Sequence, residues 1–415
     1  MLPSVVANLH RFHDYTTAFL AAAGSSFVFR GPAMHFFVTC DPTNVRHIFV
    51  SNFTNYPKGE EFVAIFDAMG NSFFNADGEF TFDMTAMSVF GIDPGLLTAD
   101  MPPVIVPDAM EAVMDVGFIR NMVPSSCWKL MKRLKIGPEW KLATAQSELH
   151  RFVTEMMKKW RDGPVHMDMD KEQDLKKVDI VSSYIHDPEY TDDHGKPNAF
   201  LYATLINYMF AGYDTIGTTL TWLFYNLIKH PHVVSIIRRE LAPIAMHKAT
   251  TTCGNHMMIF EPEETEPLVY LHAALFDMRL YPPGPIERKT VMTDDILPSG
   301  HKVQRGETIL ISLYSMGRME GVWGKDCTEY RPERWVKEES KLLYVPSYKF
   351  LAFNAGPRSC LGKHISVVQM KSVVAAMVWN FNFEMVGGYV VESKPSVVLK
   401  MKNGLWTTIL KRRIE

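Results

Sequence analysis

The stretch FLAFNAGPRSCLGKH, residues 350–364, constrains this chain more than any other. It sets one cysteine, Cys360, among Gly356, Arg358 and Gly362, with Phe353 seven residues before it and a helical pattern directly after. A cysteine at the start of that helix faces unpaired N–H groups and the positive end of the helix dipole, which favour thiolate. The two glycines let the backbone turn sharply and let a flat, bulky group come close. Phe353 is placed to shield the sulfur, and Arg358 to pair with an acidic group on a bound partner. The plainer reading is a small buried cysteine in a glycine turn. Here every flanking position fits the more specific one.

A shielded thiolate held against a large planar anion fits haem, with Cys360 on the iron and Arg358 on a propionate. A second motif points the same way. The long apolar pattern over residues 198–229 contains AGYDT, Ala211 to Thr215. A mid-helix glycine costs about 1 kcal/mol relative to alanine, and Gly212 and Gly217 accept that cost twice within six residues. Close approach of a ligand to the helix is a reason to do so. Thr215 is expected to bond back to the Ala211 carbonyl, opening the helix slightly. That leaves a hydroxyl and a polar pocket lined by Ala211, with Asp214 relaying protons from solvent. The bland alternative is a packed helix with a stripe of small residues.

Phe353-x-x-Gly356-x-Arg358-x-Cys360-x-Gly362 resembles the haem-binding signature of the cytochrome P450 family. The resemblance implies that Cys360 is the iron ligand and that Thr215 and Asp214 act in oxygen activation. YRPERW, with Pro332, Glu333 and Arg334, resembles the family's segment before the haem loop, where Arg334 would join an ion-pair cluster. LYPPGP also matches, and Arg288 after it becomes a candidate propionate contact. NYPKGEEF (55–62), FNADGE (74–79) and LYSMGRMEGVWGKD (313–326) resemble the plant branch that hydroxylates fatty acids, alkanes and related long-chain lipids.

The expected architecture is mainly α with a minor β part, the cytochrome P450 fold in a single domain over 1–415. Its β-rich parts lie at about 24–60, 286–312 and 385–412, and Pro42 suits a first helical turn. A helix is expected to open at Pro267 with the stripe Leu268, Leu271, Leu275 and Met278, and residues 246–267 read as a loop. With 43 Lys+Arg against 46 Asp+Glu, the net charge of −3 gives no general attraction to nucleic acid. Five widely spaced cysteines suggest free thiols in a reducing compartment. No apolar run reaches the roughly 20 residues that span a bilayer.

Three departures from the family pattern carry expectations of their own. The text starts inside the usual domain, without a membrane anchor, so any membrane contact falls to apolar surface patches. After FNADGEF a haem-flanking helix region is missing, and no tryptophan occurs before Trp128. The family's Glu-x-x-Arg is also broken. Phe276 stands three residues before Arg279 and Asp277 only two, and residues i and i+2 of an α-helix do not share a face. Arg279 should then turn to Glu333 or water.

The resemblance implies a haem-thiolate monooxygenase that inserts one oxygen atom from O2 into a C–H bond of an apolar lipid. Electrons would come from NADPH through NADPH-cytochrome P450 reductase, at the cytosolic face of the endoplasmic reticulum membrane. Hydroperoxide-rearranging relatives usually lack the threonine motif, which argues against that chemistry. The alternative is a haem-poor relative without catalytic activity.

Overall fold

In the computed structural model, residues 2–31, 34–66, 79–94, 105–162, 179–185, 190–191, 198–251, 257–338, 341–394 and 396–412 are described. Most of FNADGE, the run HMDMD and Cys253 lie outside them. In chain order the main helices begin with α1 (Phe12–Ala22), α2 (Pro42–Arg46), α3 (Glu60–Ile65) and α4 (Glu79–Phe90). Next come α5 (Ile105–Met122), α6 (Ser125–Leu134), α7 (Pro138–Asp162) and α8 (Ile180–Tyr184). The last are α9 (Ala199–Lys229), α10 (Pro231–Thr251), α11 (Val269–Phe276) and α12 (Lys363–Asn380). The longer strands are β1 (Ser26–Gly31), β2 (Met34–Thr39), β3 (Ile286–Thr290), β4 (Thr308–Ser312), β5 (Phe381–Met385) and β6 (Thr407–Lys411).

Local chemistry sets several of these bounds. Pro42 opens α2, and the Asp41 side chain caps it by accepting from the Thr43 N–H. α9 ends where Pro231 follows, and the His230 N–H closes its last turn on the Asn226 carbonyl. α10 then runs through Pro243 to Thr251, past the boundary expected from sequence. A proline inside a helix forfeits one backbone bond, and the helix continues beyond it.

The chain divides into two compact units. The first holds residues 1–57, 219–394 and 399–415. Its largest sheet has the order β1-β2-β4-β3. β1 and β2 form an antiparallel hairpin, β2 runs parallel to β4, and β3 returns antiparallel with Arg288 opposite Leu310. Phe37, Val38, Ile309 and Ile311 from the sheet join Leu20, Val45 and Ile48 in one core. Beside it, Glu240 of α10 accepts the Tyr270 and Leu271 N–H groups at the start of α11. Lys371 of α12 donates to the Glu266 and Leu268 carbonyls. The start of α11 is thereby satisfied by a side chain from α10, and the turn leading into it by one from α12.

The second unit holds residues 58–218 and 395–398. Its core packs Phe82, Ala86 and Phe90 of α4, Met110 and Val113 of α5, Leu149 and Val153 of α7, and Leu205, Phe210 and Tyr213 of α9. Among its described residues is a buried ion pair. Arg120 meets Glu139 through both carboxylate oxygens, at 2.8 and 2.6 Å, and donates to the Ala64 and Ile65 carbonyls at the end of α3.

Candidate functional site

The thiol loop is built in three short steps. Phe350 leads into a 3-10 turn, Leu351–Phe353, and a second follows at Gly356–Arg358. Gly356 has φ +63°, and a Cβ there would lie 2.0 Å from the Phe49 carbonyl oxygen, so only glycine fits. The chain then reaches Cys360, whose N–H donates to the Phe353 carbonyl at 2.8 Å. Gly362 precedes α12, so the helix opens at Lys363, two residues later than the sequence suggests.

This arrangement corrects the expected electrostatics of the thiol. Cys360 is an exposed residue, yet its thiol is raised above the ordinary cysteine value, with partial desolvation by neighbouring protein as the largest cause. The Gly362 N–H, which bonds to the sulfur, and the nearby Lys363 cation pull the other way without prevailing. Helix-terminus donors assist the thiolate here, but desolvation outweighs them. A cation at the sulfur, such as iron, reverses that balance by deprotonating its ligand.

The loop's surroundings fit a flat, partly apolar, acidic group. Leu361 is 88% exposed and Ile365 53% exposed, two apolar side chains in the open beside the sulfur. Around Gly362 a Cβ would meet only Ile365, at 3.8 Å. Arg358 is exposed and, among the described residues, has no ion-pair or hydrogen-bond partner. Phe353 is half-buried, with the Lys363 ammonium 5.6 Å from its ring centre. Arg288 sits buried on β3, its guanidinium 3.3 Å from Thr308 Oγ1 and over the Phe36 ring.

The other motif belongs to the second unit. Thr215 Oγ1 donates to the Ala211 carbonyl at 2.7 Å, and Ala211 is exposed. Asp214 is fully buried, so water does not touch the carboxylate expected to take protons from solvent. The expected reason for Gly212 also changes. A Cβ there would lie 2.7 Å from the Thr85 side chain, so the close approach is made by α4 and not by a ligand.

The broken Glu-x-x-Arg is resolved in an unexpected way. α11 stops at Phe276 and the backbone tightens into a 3-10 turn, Asp277–Leu280. In that turn Asp277 and Arg279, both buried, form an ion pair of 2.8 Å. The rule that i and i+2 do not meet assumes α-helical backbone, which ends one residue too soon. Arg279 therefore turns neither to Glu333, which accepts from the Tyr270 hydroxyl, nor to water. Burial lowers Arg279 to about 10 while Asp277 opposes the shift. Arg334 pairs with Asp326 at 3.1 Å, as a cluster bracing this segment requires. Sequence reading missed Asp277 because nothing local announces the change of helix type.

The cytochrome P450 family model matches residues 59–407. Among curated relatives, noroxomaritidine synthase 2 of Narcissus aff. pseudonarcissus is 35% identical, aligned over 100% of this chain and 90% of its own length. Alkane hydroxylase MAH1 of Arabidopsis thaliana is 33% identical over 99% and 92%. Cytochrome P450 86B1 of the same plant is 31% identical over 100% and 85%. The first alignment runs over 477 positions against 415 residues, so at least 62 positions have no residue in this chain. Family membership implies a haem-thiolate iron, and the Phe353–Gly362 loop has the donor and the open apolar border that such a group needs. The chain belongs to the cytochrome P450 family, whose members are monooxygenases.

Proposed function

We propose that the chain, 1–415 acting as one cytochrome P450 domain, hydroxylates a long-chain apolar lipid, a fatty acid or an alkane, at a C–H bond. The observation that carries this is the thiol loop, which presents Cys360 on a glycine-turned backbone beside exposed Leu361 and Ile365. Bound there, haem supplies the dioxygen-activating redox chemistry. Cys360 is its sulfur ligand, with Phe353, Gly356 and Gly362 shaping the approach. Arg358 and Arg288 hold the propionates, and Ala211 belongs to the cofactor-facing stretch of α9. The Thr215 hydroxyl and Asp214 carboxylate guide protons. Since Asp214 is buried, it receives them from another group and not directly from water. Similarity to an alkane hydroxylase supports the substrate class.

Electrons come from NADPH through NADPH-cytochrome P450 reductase at the cytosolic face of the endoplasmic reticulum. No described helix is long and apolar enough to cross a membrane. Contact with the membrane surface is supported by α6 and the start of α7, where Leu130, Leu134, Ile136 and Trp140 are exposed. Lys129, Lys132, Arg133, Lys135 and Lys141 accompany them, also exposed. Apolar side chains with a tryptophan and a basic rim suit an anionic lipid interface.

The test is a carbon monoxide difference spectrum of the reduced protein with bound haem assayed in parallel. Turnover with long-chain fatty acids and alkanes in the presence of reductase and NADPH follows. Near-stoichiometric haem, a thiolate-type Soret band and hydroxylated lipid are expected. The missing alignment positions favour a second reading, a haem-poor family member, and absence of haem would establish it.

A further inference from the structure

Asp277 stands at the hub of a buried network that reaches the thiol loop. One carboxylate oxygen, Oδ1, meets Arg279 Nε at 2.8 Å and accepts from Trp335 Nε1 at 3.1 Å. The other accepts the Arg331 N–H at 2.6 Å. Arg279 in turn donates to the Gly317, Cys327 and Glu329 carbonyls, so one ion pair ties three separate stretches of backbone.

From Trp335 the network continues through aromatic rings. Its indole meets Phe350 edge-on at 4.8 Å and Phe276 at 5.7 Å. Phe276 packs on Phe353 at 6.2 Å, and Phe350 packs on Phe353 at 6.5 Å. Phe353 supplies the carbonyl that holds the Cys360 N–H. Every link lies within one compact unit.

We propose that Asp277 is a positioning residue for Cys360. Its carboxylate neutralises the buried Arg279, fixes the indole of Trp335, and through the Phe276–Phe350–Phe353 rings sets the carbonyl that anchors the sulfur-bearing residue. The inference takes Cys360 as the iron ligand from the proposed function, and goes beyond it in assigning Asp277. Phe276, which stands where a helical partner of Arg279 would be, is itself one of the rings that link Trp335 to Phe353. An acid at 276 would remove that ring, whereas the 3-10 turn at 277 supplies the charge and keeps the aromatic side chain. Single aromatic contacts of this kind are modest, but they act as a set when one buried polar group orients them.

The experiment is hydrogen exchange of the Cys360-containing peptide in the full chain, with haem retention and the carbon monoxide spectrum read on the same samples. Asp277→Asn is expected to speed exchange at the Cys360 amide at least tenfold and to lose thiolate-type spectrum per bound haem. Asp277→Glu keeps the charge and most of the protection. Trp335→Phe keeps a ring but removes the indole donor, and is expected to raise exchange with little change in thermal midpoint. That variant carries the test if Asp277→Asn does not fold. Cys360 exchange within twofold of wild type in Trp335→Phe, or in folded Asp277→Asn, overturns the inference. A wild-type chain that binds no haem overturns the proposed function instead, while the exchange comparison still decides the role of Asp277.

Discussion

Gly356 joins two constraints in one residue: a left-handed backbone and a carbonyl, that of Phe49, where a side chain would begin. The left-handed region costs a residue with a Cβ roughly 1–2 kcal/mol, and the collision with backbone adds to it because neither partner can swing aside. Gly356→Ala is therefore expected to destabilise the first unit by more than about 2 kcal/mol and to abolish haem binding. At Gly362 a Cβ would meet only Ile365, at an ordinary contact distance of 3.8 Å, so Gly362→Ala should be tolerated in folding. Denaturant midpoints of the two variants check the contrast, and equal effects would refute it. The spacing of these glycines about Cys360 was legible in the sequence, because a turn is local chemistry. The direction of the thiol's pKa was not, because it depends on how desolvation in the folded loop balances against the Gly362 N–H and the Lys363 cation. Gly212 shows the same limit, since only folding brings Thr85 against it.

Among the elements, α9 could be read from apolar periodicity and from the proline that stops it, and α12 from the helical pattern after the thiol loop. The helix carrying Leu271 and Leu275 was also legible, but its last turn was not. Helix type there is decided by a buried carboxylate that captures Arg279, a tertiary effect absent from any periodic pattern. α6 and α7 add a surface property. Trp128, the one buried aromatic of α6, lies under the Arg120 guanidinium at 4.6 Å, while Leu130, Leu134, Ile136 and Trp140 remain outside. Because those four are more than half exposed, Leu134→Asp with Trp140→Asp should leave the thermal midpoint within about 2 °C of wild type. The pair is expected to cut sedimentation with phosphatidylserine-containing vesicles several-fold. Charge reversal at Lys132 and Arg133 should make the remaining binding insensitive to salt. Unchanged sedimentation in the double variant would remove α6 and α7 from the membrane contact.

At the scale of the whole molecule, family and helical character were legible because the motifs are spread along most of the chain. The missing helix region was legible only as a jump in resemblance, and the 477-position alignment leaves at least 62 positions, wherever they fall, without a residue in this chain. How a whole unit responds to pH was hidden, because it rests on which histidines are buried. His13 and His272 are both lowered from 6.5 to about 4, with burial as the largest cause. For His13 the Arg318 charge adds to the lowering while Asp14 opposes it; for His272, Lys371 and Lys363 add to it. Each is neutral in the folded chain while its unfolded counterpart takes a proton near 6.5. Between about 6.5 and 4 the unfolded state thus binds more protons, and stability must fall as pH falls through that window. Above 6.5 the contribution is complete. The urea midpoint of the first unit is therefore expected to be level from pH 8 to 7 and to drop steadily from 6.5 to 4.5. His13→Phe, which keeps a ring against Tyr314, should flatten part of that slope. A midpoint that stays level or rises on acidification would show that these imidazoles are solvated in the folded chain and that the packing around α1 and α11 is looser than drawn.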